Sequence, residues 1–132
     1  MKRITVLLAD DNRIVRVEFR KILERETDLE VVGEAKDGRQ ALNMTIRLLP
    51  AVVLMDMTMP YLNGLEAMRQ ILKIFPAVKV LMLTAHSDEA YLKEAFKSGA
   101  MGYLLKQTCA ESVCAAIRTV HAGKLLLTSS KE

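Results

Sequence analysis

Two hydrophobic patterns alternate along this chain: short, mainly apolar runs, and longer stretches in which apolar side chains return every three or four positions. The first run, Ile4 to Ala9, reads as a strand that ends on the acidic pair Asp10-Asp11. Residues 12 to 26 carry Val15, Phe19, Ile22 and Leu23 at helical spacing among Arg, Lys and Glu, which predicts an amphipathic helix started at Asp11 or Asn12. Leu29 to Ala35 reads as a second strand closed by an Asp37-Gly38 turn, and Ala41, Leu42, Thr45 and Leu49 mark a second helix ended by Pro50. A third strand, Val52 to Met55, delivers a lone carboxylate, Asp56, before Pro60 stops the ladder. Asn63-Gly64 then offers a tight turn and a helix start, and the third helix turns Leu65, Met68, Ile71 and Leu72 inward until Pro76. Val78 to Leu83 is a fourth strand finishing at Thr84. The helix from about Asp88 to Ser98 has Leu92, Ala95 and Phe96 on its apolar side and stops at Gly99. Met101 to Leu105 is a fifth strand finishing at Lys106. Val113, Ala116, Ile117 and Val120 form the inward stripe of a last helix, which Gly123 stops.

Five strands alternating with five helices predict an α/β fold, a parallel sheet covered by helices on both faces and joined by right-handed crossovers. In such sheets ligands collect outside the carboxyl ends of the strands, where the strand order reverses. Those ends carry Asp10 and Asp11, Asp56, Thr84 and Lys106, which makes them one candidate site.

Composition narrows the picture. With 132 residues, 51% hydrophobic and 27% charged, the chain fills one core and is short for two domains. No apolar run approaches a membrane span and the start is too short for a signal peptide, so the expected location is cytoplasmic. Cys109 and Cys114 lie five apart in a helical stretch and point in different directions, against a disulfide or metal pair. The net charge of +3 has no basic block behind it, so no direct nucleic-acid contact is expected of this segment. The eight methionines read as core filler.

Three carboxylates gathered within about 5 Å would repel by roughly 3 kcal/mol per pair at an effective dielectric near 20. A divalent cation relieves that repulsion, and oxygen ligands without His or Cys suit Mg²⁺. A carboxylate beside a lysine, a hydroxyl and Mg²⁺ is equipped to accept a phosphoryl group, and Asp56, the acid most embedded in its strand, is the expected nucleophile.

Asp10-Asp11, Asp56-Met57-Thr58-Met59-Pro60 with Asn63-Gly64, Leu83-Thr84-Ala85 and Tyr103-Leu104-Leu105-Lys106 together resemble the receiver domain of two-component response regulators. Glu30 to Ala35 and Ala115 to Val120 with Gly123 are similar to the NarL/FixJ type. The resemblance implies a flavodoxin-like doubly wound fold with strand order 2-1-3-4-5, residues 1–123 forming the receiver and 124–132 starting a linker to a C-terminal helix-turn-helix output domain that regulates transcription. It implies a phosphoacceptor switch rather than an enzyme, with Asp56 phosphorylated by a sensor histidine kinase. By the same resemblance Asp11, Asp56 and the carbonyl of Thr58 hold Mg²⁺, with Asp10 acting through a water. Thr84 and Lys106 sense the phosphoryl group, and Tyr103 is a switch aromatic. Thr58 and His86 flank the phosphoryl position, where they would tune its lifetime. The chain departs from many receivers in having Gln107, not proline, after the lysine, so a trans peptide is expected there.

Each residue also has a plainer reading. Asp10-Asp11 could be a helix cap, Thr84 a β-branched strand end, Lys106 a solvated lysine and Tyr103 a packing aromatic. A receiver-fold binding module that works without phosphorylation is disfavoured by the complete acid, Thr and Lys set. A flavin or nucleotide carrier needs a Gly- or Ser/Thr-rich phosphate loop after the first strand, where this chain has acids. Ile14 and Val17 lie off the inward stripe of the first helix, and Cys114, Arg118 and His121 off that of the last. A self-complementary patch there would give a two-fold dimer, and the expected state is a monomer or a weak homodimer through these two helices.

Overall fold

A computed structural model describes residues 2–85, 89–108 and 110–126. Ten elements alternate in chain order: β1 (Ile4–Ala9), α1 (Arg13–Glu24), β2 (Leu29–Ala35), α2 (Gly38–Leu48), β3 (Val52–Asp56), α3 (Gly64–Ile74), β4 (Lys79–Thr84), α4 (Glu89–Lys97), β5 (Gly102–Leu105) and α5 (Ala110–His121). The five strands pair in parallel in the order β2-β1-β3-β4-β5, so the chain winds first to one side of β1 and then to the other. The order reverses between β1 and β3, which places the ends of those two strands beside each other at the crevice where such sheets take ligands.

Alternation within the strands divides the core into two layers. Leu7, Val53, Met55, Val80 and Met82 face α2, α3 and α4, where Ala41, Met68, Ile71, Leu92 and Ala95 cover them. Val6, Leu8, Leu54, Leu81 and Leu104 face α1 and α5, packed against Phe19, Leu23, Val113, Ile117 and Val120. All of β3 is buried, as a central parallel strand covered on both faces must be.

Four local expectations change. Asp37-Gly38 is no free turn closing β2: Asp37 caps α2, its carboxylate accepting from the Gln40 N–H, and Gly38 is the first helical residue. A Cβ on Gly38 would lie 1.8 Å from the Leu62 carbonyl oxygen, so glycine is there to let α2 approach the loop after β3. Leu49 is not on the apolar face of α2. It is the left-handed C-cap at φ 49°, 57% exposed, because Pro50 obliges the chain to leave the helix there. Cys114 is buried with Phe19 and Leu23, since the covered surface of α5 is wider than its central stripe and reaches the flank of α1. Beyond Gly123 the chain turns back onto the sheet: the Leu126 N–H donates to the Met101 carbonyl at 2.7 Å and Leu126 bridges Gly102 in parallel. Cys109 and His86 lie outside the described residues. The peptide joining Lys106 to Gln107 is trans.

Candidate functional site

The site begins with how β1 ends. The Asp10 N–H still donates to the Ala35 carbonyl of β2, but its side chain has left the sheet and its Oδ1 accepts from the Asn12 N–H at 2.8 Å. Asn12, not Asp11, caps α1, accepting from the Ile14 and Val15 N–H groups. Asp10 is therefore buried, 2% exposed, whereas Asp11 is at the surface.

Asp56 closes β3 and is likewise 2% exposed. Its Oδ1 accepts a long bond of 3.4 Å from the Thr58 N–H. Directly beneath it Asn63 caps α3 through the Glu66 N–H, and Gly64 starts the helix. The turn is not what requires this glycine, since it is absent from the positive-φ positions. A Cβ there would stand 1.9 Å from the Asp56 carbonyl oxygen, so only glycine lets the start of α3 press against the strand end that carries the carboxylate.

Asp10, Asp11 and Asp56 each bring a carboxylate oxygen within 4.8 Å of the others. The Lys106 ammonium contacts Asp10 Oδ2 at 3.0 Å and Asp56 Oδ2 at 3.3 Å. Both Oδ2 atoms are buried, and among the described residues the Lys106 ammonium is the one cation set against them. Burial first, and then the Asp10 charge, push the Asp56 carboxyl up to about 6, against the lowering pull of Lys106. Burial would depress the Lys106 ammonium, but Asp10 and Asp56 outweigh it and hold it above its ordinary value. A gathering of negative charge with one cation at its side is a place for a second, oxygen-seeking cation.

Thr84 ends β4 and Lys106 directly follows the neighbouring β5, and the Lys106 N–H donates to the Thr84 carbonyl at 2.9 Å. A cleft of about 400 Å³ opens beside Asp56, lined by Thr58, Thr84, Ala85, Tyr91 and Lys106. Tyr103 sits three residues before Lys106, half-buried, its ring edge-to-face with Phe96 at 6.4 Å. The structure thus brings together every described residue chosen from the sequence at the strand ends, with Tyr103 to one side.

Sequence reasoning missed Tyr91, in the first turn of α4, and Arg16, whose Nη1 donates to the Asp10 carbonyl at 2.8 Å. Neither carries a local signal, because Tyr91 reads as one more helical aromatic and Arg16 as one of several charges on α1.

Residues 6–118 match the response regulator receiver domain family. The transcriptional regulatory protein DegU of Brevibacillus brevis is 39% identical over 121 residues, 92% of this chain and 51% of that protein. The response regulator UvrY of Escherichia coli is 41% identical over 126 residues, 96% of this chain and 58% of that protein. This chain thus spans little more than half the length of such relatives. Among solved structures, the signal receiver domain of NarL from Mycobacterium tuberculosis superposes with a TM-score of 0.89 at 29% identity, covering 94% of this chain and 100% of that one. In sequence, strand order and the residues gathered at the strand ends, the chain belongs to the receiver domains of two-component response regulators, of the NarL/FixJ type.

Proposed function

We propose that this receiver is a phosphorylation switch in which Asp56 accepts a phosphoryl group from the phosphohistidine of a sensor histidine kinase. The observation that carries the reading is the meeting of three carboxylates within 4.8 Å, two of them in contact with Lys106. The donor set is all oxygen and includes two buried carboxylate oxygens that share a single ammonium, which fits Mg²⁺. Asp11, Asp56 and the Thr58 carbonyl would hold it, and Asp10 would act through a water. When bound, the ion supplies positive charge opposite the equatorial oxygens of the phosphoryl group.

The chain's own residues account for the rest of the transfer. An Asp56 carboxylate oxygen attacks phosphorus in line, its O–P bond forming as the P–N bond of the donor breaks and the electron pair leaves with the imidazole. Lys106, held between Asp10 and Asp56, faces the charge that arrives. The Thr84 side chain lines the same cleft, so a new anion there is a hydrogen-bond partner for its hydroxyl. Tyr103 is the aromatic that would turn inward when Thr84 moves, three residues before Lys106, whose N–H donates to the Thr84 carbonyl. Thr58 borders the cleft and orders or excludes the water that hydrolyses the acyl phosphate. His86, assigned the same role from the sequence, lies outside the described residues.

The output is a C-terminal helix-turn-helix domain reached through a linker that starts after Leu126, so that phosphorylation controls transcription without nucleic-acid contact by the receiver. Among the described residues no helix is long and apolar enough to cross a membrane. The receiver is a monomer or a weak homodimer through α1 and α5. Ile14, 70% exposed, supports the α1 half of that surface; the α5 half is reduced, since Cys114 is buried and Arg118 is paired with Glu26 and Asp28.

Incubation with Mg²⁺ and acetyl phosphate, followed by intact mass, tests the reading. One added phosphoryl group with Mg²⁺ and none with a chelator is expected. A chain unmodified under both conditions would instead favour a module that signals by contact alone.

A further inference from the structure

The loop that presents Asp10 and Asp11 is pinned on nearly every side. The Asp10 N–H is bonded to Ala35, its side chain to the Asn12 N–H, and Asn12 to the start of α1. The Asp10 carbonyl has left the β ladder, and its partner is Arg16 Nη1 at 2.8 Å. The same guanidinium gives its Nε to Glu34 Oε1 at 3.0 Å, while Arg20 Nε takes the other oxygen of Glu34 at 2.6 Å and Arg20 Nη1 reaches Glu24 at 2.7 Å. Glu34 lies near the end of β2, one residue before Ala35. Two adjacent strand ends and one helix are therefore joined through a single planar group, whose side chain is only 13% exposed.

We propose that Arg16, oriented by Glu34, is a positioning residue for divalent-cation binding: it fixes the peptide between Asp10 and Asp11 so that both carboxylates face Asp56. This rests on the reading of the acidic cluster as the Mg²⁺ site. The carbonyl that Arg16 holds belongs to the peptide whose nitrogen is that of Asp11, so rotation of this one peptide swings the Asp11 side chain relative to the buried Asp10. Asp11 is the exposed member of the cluster and has the most freedom to lose. Only a fork can serve both partners, because an ammonium on a flexible stem presents no two donors at the fixed angle that the Asp10 carbonyl and Glu34 demand. Partners that orient metal ligands without touching the metal are commonly worth 10–100-fold in affinity.

Mg²⁺ titrations by calorimetry on wild type, Arg16→Met, Arg16→Lys, Glu34→Gln and Arg20→Met test the assignment, with thermal melts in chelator confirming that each variant is folded. Arg20→Met removes as many links to Glu34 and Glu24 but touches no part of the acidic loop, so it reports the purely structural share. The expected result is a roughly tenfold loss of Mg²⁺ affinity in Arg16→Met, little rescue by Arg16→Lys, a smaller loss in Glu34→Gln, and wild-type affinity in Arg20→Met. Wild-type affinity in Arg16→Met overturns the proposal, as does an equal loss in Arg20→Met or full rescue by lysine. If Arg16→Met does not fold, Glu34→Gln decides: undiminished affinity there overturns it. Absence of Mg²⁺ binding in the wild type overturns this proposal together with the proposed function, whereas binding by the wild type that is unaltered in the Arg16 variants overturns this proposal alone.

Discussion

Replacing Asp56 by Asn should stabilise the metal-free protein. The side chain is 2% exposed, close to Asp10, and its carboxyl is raised from 3.8 to about 6 by burial and by that neighbour, so the folded state carries an ionised group that it holds less comfortably than the unfolded chain does. An acid whose folded value lies above its unfolded value costs stability where it is ionised. The cost is full above about pH 6 and vanishes as pH falls below about 4, where Asp56 is protonated in both states. A shift of about two units corresponds to about 3 kcal/mol. The amide has nearly the same shape and no charge, so Asp56→Asn should recover most of this at pH 7.5, raising the melting temperature by on the order of 10 °C for a domain of this size. Near pH 4 the two proteins should melt together. Excess Mg²⁺ should close the gap at pH 7.5 from the other side, because at a hundred times its dissociation constant it stabilises the wild type by about 2.7 kcal/mol. Thermal melts of both proteins in chelator, across this pH range, measure the effect. A gain independent of pH, or none at pH 7.5, would refute the account of a strained carboxylate at the end of β3.

Gly64→Ala should destabilise the fold by about 1–3 kcal/mol, because its Cβ would meet the Asp56 carbonyl and the start of α3 must back away; urea melts with an unaltered midpoint would show that the helix has room to spare. Thr58→Ala should change the decay of the phosphorylated protein more than its formation, and equal decay in variant and wild type would make Thr58 a bystander at the cleft. Sedimentation of wild type against the double variant Ile14→Glu, Val17→Glu should show any weak association lost in the variant, while association that persists places the interface away from α1.

The fold was legible because its signals are redundant. Four of the five strands are short, largely apolar runs, β2 interleaves its apolar residues with Glu30 and Glu34, every helix has its own stripe, and Pro50, Pro76, Gly99 and Gly123 punctuate them. The site was legible because a parallel sheet collects strand ends, so Asp10, Asp56, Thr84 and Lys106 could be gathered without coordinates. What escaped was anything set by a specific close approach. Gly64 reads as a turn glycine, yet it is required by an oxygen 1.9 Å from where its Cβ would be. Asp37 and Gly38 look like a turn for the same reason: a cap and a packing glycine have the composition of a loop. Cys114 lies off the inward stripe of α5 and is buried all the same, because periodicity marks the centre of a buried stripe and not its width, which the neighbouring α1 sets. Arg16 could not be singled out among the cations of α1, since its partners are Asp10, just past the end of β1, and Glu34, near the end of β2.

The most direct test of the central assignment is the site of modification. After reaction with acetyl phosphate and Mg²⁺, borohydride reduces an aspartyl phosphate to homoserine, and tandem mass spectrometry of the peptide spanning Val52 to Gly64 locates it. The account predicts homoserine at position 56 in the wild type and none anywhere in Asp56→Asn. Homoserine at position 10 or 11, or a phosphoryl group retained in Asp56→Asn at the wild-type level, would contradict it.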